Sequence, residues 1–151
     1  MKEHDSVKIA REIARVCHRG QTDQGGNPCI LHPEAVAGML ETDEEKTAGW
    51  LHDVLEDTDF SREVLGLIFG ERILSALDCV TRRPGEAWED YIDRVSSDPL
   101  AIRVKIADLT HNMDLSRITN REIEDWDRKR AERYRRTREL LAGRLPDFQK
   151  D

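Results

Sequence analysis

The feature that most restricts the fold of this chain is a succession of short aliphatic stripes at helical spacing, joined by brief polar connections. In the first stripe Val7, Ile9, Ala10, Ile13, Ala14 and Cys17 share one side, with Lys8, Arg11, Glu12 and Arg15 on the other, the pattern of an amphipathic helix. Charged residues make up 36% of the chain and aromatics 5%, so the surface is densely ionic and the core aliphatic. Packed helices suit that composition better than a sandwich of strands. The expected fold is therefore all-α, a compact helical bundle forming one domain over residues 1–151, long enough to bury a core without disulfide staples.

Punctuation places the later stripes. His18-Arg19-Gly20-Gln21 and the glycine-rich run from Asp23 to Pro28 read as an ordered loop before a helix over about Pro33 to Leu40. Thr42 with Glu45 has the spacing of a capping box and introduces a third helix carrying Ala48, Leu51, His52, Leu55 and Glu56. Ser61 caps a helix that Gly70 stops, and Ile73 to Val80 form the next. Trp88, Tyr91, Ile92 and Val95 follow the Pro84-Gly85 turn, and Asp98-Pro99 opens a helix that can run to about Ile118. A highly charged helix near Arg121 to Leu141 closes the series.

Several function classes are disfavoured. No apolar run approaches the roughly 20 residues of a membrane span, and the N-terminus lacks a signal-peptide stretch, so a cytoplasmic protein without a membrane partner is expected. Cys17, Cys29 and Cys79 are odd in number and lack metal-knuckle spacing, and so read as reduced, buried thiols. A net charge of −7 opposes a nucleic-acid-binding face. The arginines of the last helix are interleaved with Glu122, Glu124, Asp125, Asp127, Glu132 and Glu139, which makes a solvated, ion-paired surface. No feature reports the oligomeric state.

The chemistry-bearing residues converge on His52-Asp53. On a continuous helix these side chains point about 100° apart, so one ion is shared only off the helix end or flank, with other helices completing its shell. His32 and Asp108 are suitable donors, and such a His and Asp set takes one divalent cation, with manganese, iron, zinc and nickel all chemically suitable. Glu56 and Asp57 lie one turn on, Glu56 on the face of His52 and Asp57 on that of Asp53. These acids are either a solvated helix end or an overhang on the same metal, and Asp108 is either a ligand or a partner for Lys105 or an arginine.

Taken in chain order, the blocks His18-Arg19-Gly20-Gln21, Pro28-Cys29-Ile30-Leu31-His32-Pro33, Leu51-His52-Asp53-Val54-Leu55-Glu56-Asp57-Thr58, Phe69-Gly70, Val80-Thr81, Val104-Lys105-Ile106-Ala107-Asp108 and His111-Asn112-Met113 resemble the hydrolase domain of the Rel/SpoT alarmone enzymes and the small stand-alone alarmone hydrolases, within the HD phosphohydrolase superfamily. The resemblance covers about residues 8 to 116. It implies an HD-type helical fold, one manganese-like ion on His32, His52, Asp53 and Asp108, a catalytic acidic pair in Glu56 and Asp57, and Asn112 beside the substrate sugar. The implied activity is removal of the 3′-pyrophosphate of guanosine tetra- or pentaphosphate, with no synthetase or regulatory domain attached. His18 keeps its place in the motif with a structural hydrogen bond as its expected role.

The match departs from the family where an Arg-Lys pair usually follows the Gly-Gln step, because Asp23 and Gln24 stand there. Such a charge reversal disfavours a polyanion in that pose, and restoring Arg and Lys is expected to raise alarmone hydrolysis. Leu109-Thr110 likewise stands where Arg-Leu is common. Candidate substitutes for substrate contact are Arg82, Arg83 and Lys105, although exposed arginine pairs are often merely solvated. Trp88 and Tyr91 serve either the core or base stacking. The leading expectation is a phosphohydrolase acting on a small phosphorylated nucleotide. Its rivals are the same chemistry on another phosphorylated metabolite and a non-catalytic HD binding module.

Overall fold

The computed structural model describes residues 3–146. Among them nine α-helices follow one another: α1 (Glu3–Cys17), α2 (Leu31–Met39), α3 (Asp43–Leu51), α4 (Val54–Asp57), α5 (Arg62–Phe69), α6 (Glu71–Val80), α7 (Trp88–Val95), α8 (Pro99–Asn112) and α9 (Asp125–Gly143). A 3₁₀ turn at Leu115–Arg117 separates the last two, and the described residues contain no strand beyond an isolated Thr22 and Pro28 bridge. The all-α expectation holds.

The caps explain most boundaries. Ser61 Oγ accepts from the Val64 N–H at 3.3 Å and Asp98 Oδ1 from the Leu100 N–H at 2.9 Å, so α5 and α8 begin where side-chain oxygens replace missing backbone partners. Gly70 ends α5 at φ +87°, a left-handed conformation that suits glycine. The capping box at Thr42 is half made: Thr42 Oγ1 accepts from the Glu45 N–H at 3.1 Å, but Glu45 turns to the Glu41 N–H and to Arg103, each at 3.1 Å.

Two boundaries differ from expectation. The third helix does not run through to Glu56; it breaks at His52 and Asp53, and α4 restarts it. The eighth ends at Asn112, where the Asp114 side chain starts the 3₁₀ turn by accepting from the Ser116 N–H at 3.0 Å. The three cysteines are partly exposed rather than buried.

Leu51, Leu65, Leu77, Ile102, Leu109 and Leu141 are fully buried and draw α3, α5, α6, α8 and α9 around one core. α3 lies especially close to α2. A Cβ on Gly49 would sit 2.8 Å from Leu40 Cδ1 and 3.3 Å from the Ala37 Cα, so glycine eases the close approach of the two helices. That packing sets His52 opposite His32, with α8 alongside α2 supplying the third wall.

Candidate active site

Four side chains from three places in the chain meet at the centre of this arrangement. His32 stands in the first turn of α2, His52 and Asp53 occupy the break between α3 and α4, and Asp108 projects from α8. His32 Nε2 lies 2.8 Å from Asp108 Oδ1, 3.1 Å from His52 Nε2 and 3.8 Å from Asp53 Oδ2. His52 Nε2 lies 3.2 Å from Asp53 Oδ2 and 3.6 Å from Asp108 Oδ1. Metal-ligand bonds of about 2.1 Å separate neighbouring donors by roughly 3.0–3.4 Å, so these spacings resemble the edges of a coordination polyhedron.

The outer contacts fix which atoms face inward. His52 Nδ1 is 2.7 Å from the Gly49 carbonyl, which only accepts, so Nδ1 carries the hydrogen and neutral His52 presents an Nε2 lone pair to the cluster. His32 Nδ1 is 2.7 Å from His111 Nδ1. Burial, reinforced by the Arg117 and His32 charges, pushes the His111 pKa down to about 4, so near pH 7 it is neutral and can accept from His32. Two imidazole lone pairs then face two carboxylates. Burial opposes a charge on His52, but Asp53 and Asp108 outweigh it and hold its pKa well above the ordinary value, so without a cation between them the carboxylates draw a proton onto Nε2 and that lone pair is free only when a cation takes the proton's place. The pocket therefore draws positive charge, and its donor chemistry fits one divalent ion.

Asp108 is held from three sides. Lys105 Nζ donates to Oδ2 at 2.7 Å and Asn112 Nδ2 to Oδ1 at 2.9 Å, while His32 meets Oδ1. The lysine pairing weighed from the sequence is real, and it coexists with the approach to the histidines. Burial penalises both charges of the pair, yet their mutual attraction prevails, keeping the lysine pKa raised and the aspartate pKa lowered.

Glu56 and Asp57 gather with Asp53, one oxygen of each lying within 4.8 Å of the others. Glu56 and Asp57 follow Asp53 by three and four residues, the spacings that bring side chains together along a helical run. Glu56 Oε1 accepts from the Arg82 N–H at 2.8 Å. Burial raises both pKa values, and the negative charge of Asp53 pushes the same way, against the Arg82 hydrogen bond on Glu56.

These groups border a cavity of about 340 Å³ whose walls include Arg82, Lys105, Asn112, Trp88, Tyr134 and Arg117. The Arg82 guanidinium bonds to the Glu86 carbonyl at 2.9 Å and lies over the Trp88 ring. Arg83 is exposed and does not line the cavity. Tyr91 is a core residue, its hydroxyl donating to the Val80 carbonyl at 2.6 Å, and burial raises its pKa to about 12. Trp88 donates to Thr137 Oγ1 at 3.2 Å and stacks near Tyr134, which ties the wall to α9. The face of α9 expected to be fully solvated thus contributes to the cavity, while Glu132, Arg135, Arg136 and Glu139 form the expected ion pairs outside it.

Sequence reasoning assigned no role to His111 or Arg117. His111 sits three residues past Asp108, a helical spacing that could have flagged it. Arg117 carried no local signal, since its partner Asp23 is 94 positions away, at 3.1 Å. The other Asp23 oxygen accepts from the Gly25 and Asn27 N–H groups, both at 2.9 Å. The carboxylate expected to repel an anion is therefore neutralised and turned into its own loop.

An all-helical bundle with a His, His, Asp and Asp centre under an acidic pair defines the class, and comparison with known proteins makes the relationship specific. No protein-family model matches the chain. It is 34% identical over 149 residues to a probable GTP pyrophosphokinase of Mycobacterium leprae, covering 90% of this chain and 18% of that protein. It is 36% identical over 126 residues to a guanosine-3′,5′-bis(diphosphate) 3′-pyrophosphohydrolase of Borreliella burgdorferi, covering 74% of this chain and 19% of that one. A solved structure described as a metazoan ortholog of SpoT that hydrolyzes ppGpp superimposes with a TM-score of 0.71 at 22% identity, covering 94% of this chain and 86% of its own, which establishes the fold. The chain is related to the Rel/SpoT alarmone enzymes and spans less than a fifth of the length of these two curated relatives.

Proposed function

We propose that the chain is a metal-dependent phosphohydrolase that releases pyrophosphate from the 3′ position of guanosine 3′,5′-bis(diphosphate), acting in the cytoplasm as one catalytic domain. The observation that carries this reading is the convergence of four donor atoms from His32, His52, Asp53 and Asp108, backed by hydrogen bonds that turn both imidazole lone pairs inward. We assign one divalent ion to them, manganese by preference. When bound, it supplies Lewis acidity and lowers the pKa of water.

The remaining chemistry belongs to the side chains. Glu56 and Asp57, whose pKa values burial and the Asp53 charge raise, hold and deprotonate the attacking water. The water oxygen joins the phosphorus bonded to the 3′ oxygen, that bond breaks, and the 3′ oxygen leaves carrying the proton that the acidic pair took from the water. Lys105 keeps Asp108 ionised, Asn112 offers its amide beside the sugar, and Arg82, with Arg83 further out, faces the phosphates from the cavity mouth. The same chemistry on another phosphorylated metabolite is favoured by one feature, the pairing of Arg117 with Asp23, which takes a cation of the loop out of play. The name pyrophosphokinase belongs to relatives far longer than this chain.

The test is pyrophosphate release by the manganese-loaded protein from guanosine 3′,5′-bis(diphosphate) beside a panel of nucleotides, with Asp108→Ala as blank. Glu56→Gln should retain one ion per chain while turnover falls by about 10²–10⁴. Equal rates in wild type and Asp108→Ala would remove the assignment, and release from a different compound alone would establish the second reading.

A further inference from the structure

The main cavity adjoins a second one of about 210 Å³, the two sharing Asp23, Asn112, Arg117 and Tyr134 as walls. Three guanidinium groups line this annex, and they are not equivalent. Arg117 is paired with Asp23 at 3.1 Å. Arg121 is bound by both oxygens of the buried Asp127, at 2.7 and 2.8 Å. Arg130 pairs with no carboxylate among the described residues. Its one polar partner is the neutral Gln24 Oε1, at 3.3 Å, and its guanidinium lies over the rings of Trp126, at 5.6 Å, and Tyr134, at 5.8 Å.

An arginine held by stacking, partly buried and with no carboxylate in direct contact keeps its charge and most of its five donors available, although Asp127, itself bound by Arg121, lies near enough to feel that charge. In a chain of net charge −7 this cation lines a cavity that shares walls with the one over the acidic centre. A neutral side-chain carbonyl at 3.3 Å is a weak partner that an anionic oxygen would displace, because charge-assisted bonds are shorter and stronger. Asp23, being saturated by Arg117 and its own loop, leaves the field of Arg130 uncancelled at that end.

We propose that Arg130 is a specificity-determining residue that binds a second phosphate group of the substrate, remote from the one being cleaved, in the annex beneath Gln24. The inference rests on the phosphohydrolase reading for its kinetic form, but binding tests it separately. The site is assembled across the chain: the loop that carries Asp23 and Gln24 provides the wall, and α9 brings the cation.

The experiment compares wild type, Arg130→Gln, Arg130→Lys and Arg128→Gln in the manganese-loaded protein. Arg128 removes one charge from the same helix at an exposed site paired with Asp125, and so controls for general electrostatics. Arg130→Gln should raise KM for guanosine 3′,5′-bis(diphosphate) about tenfold with kcat within about twofold, the loss expected for one charge-assisted hydrogen bond. Calorimetry should give the same tenfold loss for guanosine 5′-diphosphate and none for guanosine, with Arg130→Lys intermediate and Arg128→Gln unchanged. An unchanged KM and diphosphate affinity in Arg130→Gln, or an equal loss for guanosine, would overturn the inference. If wild type turns over no substrate, the functional reading fails by itself, and the calorimetric comparison still decides on Arg130, with no diphosphate binding to wild type counting against it.

Discussion

Asp108→Asn isolates the energetic centre of the fold from its chemistry. Lys105 and Asp108 are 9% and 6% exposed, and their charged atoms are 2.7 Å apart. The amide keeps the shape of the carboxylate and its oxygen can still accept from Asn112, so the main loss is the counter-ion of a buried ammonium. Removing one partner of a buried pair costs about 3–5 kcal/mol, because the other charge is left uncompensated. For a chain of this size about 1 kcal/mol moves Tm by roughly 2–4 °C, which gives a fall of roughly 6–20 °C in chelator at pH 7. Lys105→Met should cost a similar amount by stranding Asp108. The double variant should be no worse than either single, with a coupling of about 2 kcal/mol or more, since neither charge then remains unpaired. Denaturant unfolding of the four proteins measures that coupling directly. Singles that each cost under about 1 kcal/mol and simply add would refute the view that burial makes this pair energetically coupled.

Two further outcomes follow from the same geometry. The acid limb of kcat/KM should lie above the ordinary carboxylate range near about 4, since Glu56 and Asp57 must be ionised to act as bases and burial, with Asp53, raises both; Asp57→Asn should lower the limb that remains, and a wild-type limb below about 4 measured from pH 3.5 to 8 would exclude the pair as base. Replacing Asp23 by Arg together with Gln24 by Lys should reduce activity, contrary to the expectation from the family pattern, because it removes two loop hydrogen bonds and the partner of Arg117 at a stability loss of about 2–3 kcal/mol; a lower KM in the double variant would reverse that judgement.

Much of the fold was legible because helix signals are local. Ser61, Asp98, Gly70 and the aliphatic stripes each act within one or two turns, and the helices begin or end within a few residues of those marks. The four side chains that meet could be named because His32, His52, Asp53 and Asp108 stand inside recognisable blocks. What escaped was non-local. No spacing rule joins Asp23 to Arg117 or Gln24 to Arg130, and no propensity tells that Trp88 will bond to Thr137 and bring α9 over the cavity. Asp23 therefore read as an unpaired negative charge, although the folded chain neutralises it.

The helix break at His52 and Asp53 joins the legible part to the illegible one. Adjacent residues on a helix diverge by about 100°, so these two donors can share one centre only off its end or flank. Ending α3 at Leu51 brings His52 Nε2 and Asp53 Oδ2 to 3.2 Å. The break also leaves the Gly49 carbonyl, which a continuing helix would offer to the Asp53 N–H, available to hold His52 Nδ1. Gly49 in turn is where α3 presses against Leu40 and Ala37 of the neighbouring segment, so close that a Cβ would collide. The packing of α2 on α3, the tautomer of His52 and the meeting of the two donors are thus consequences of one local geometry.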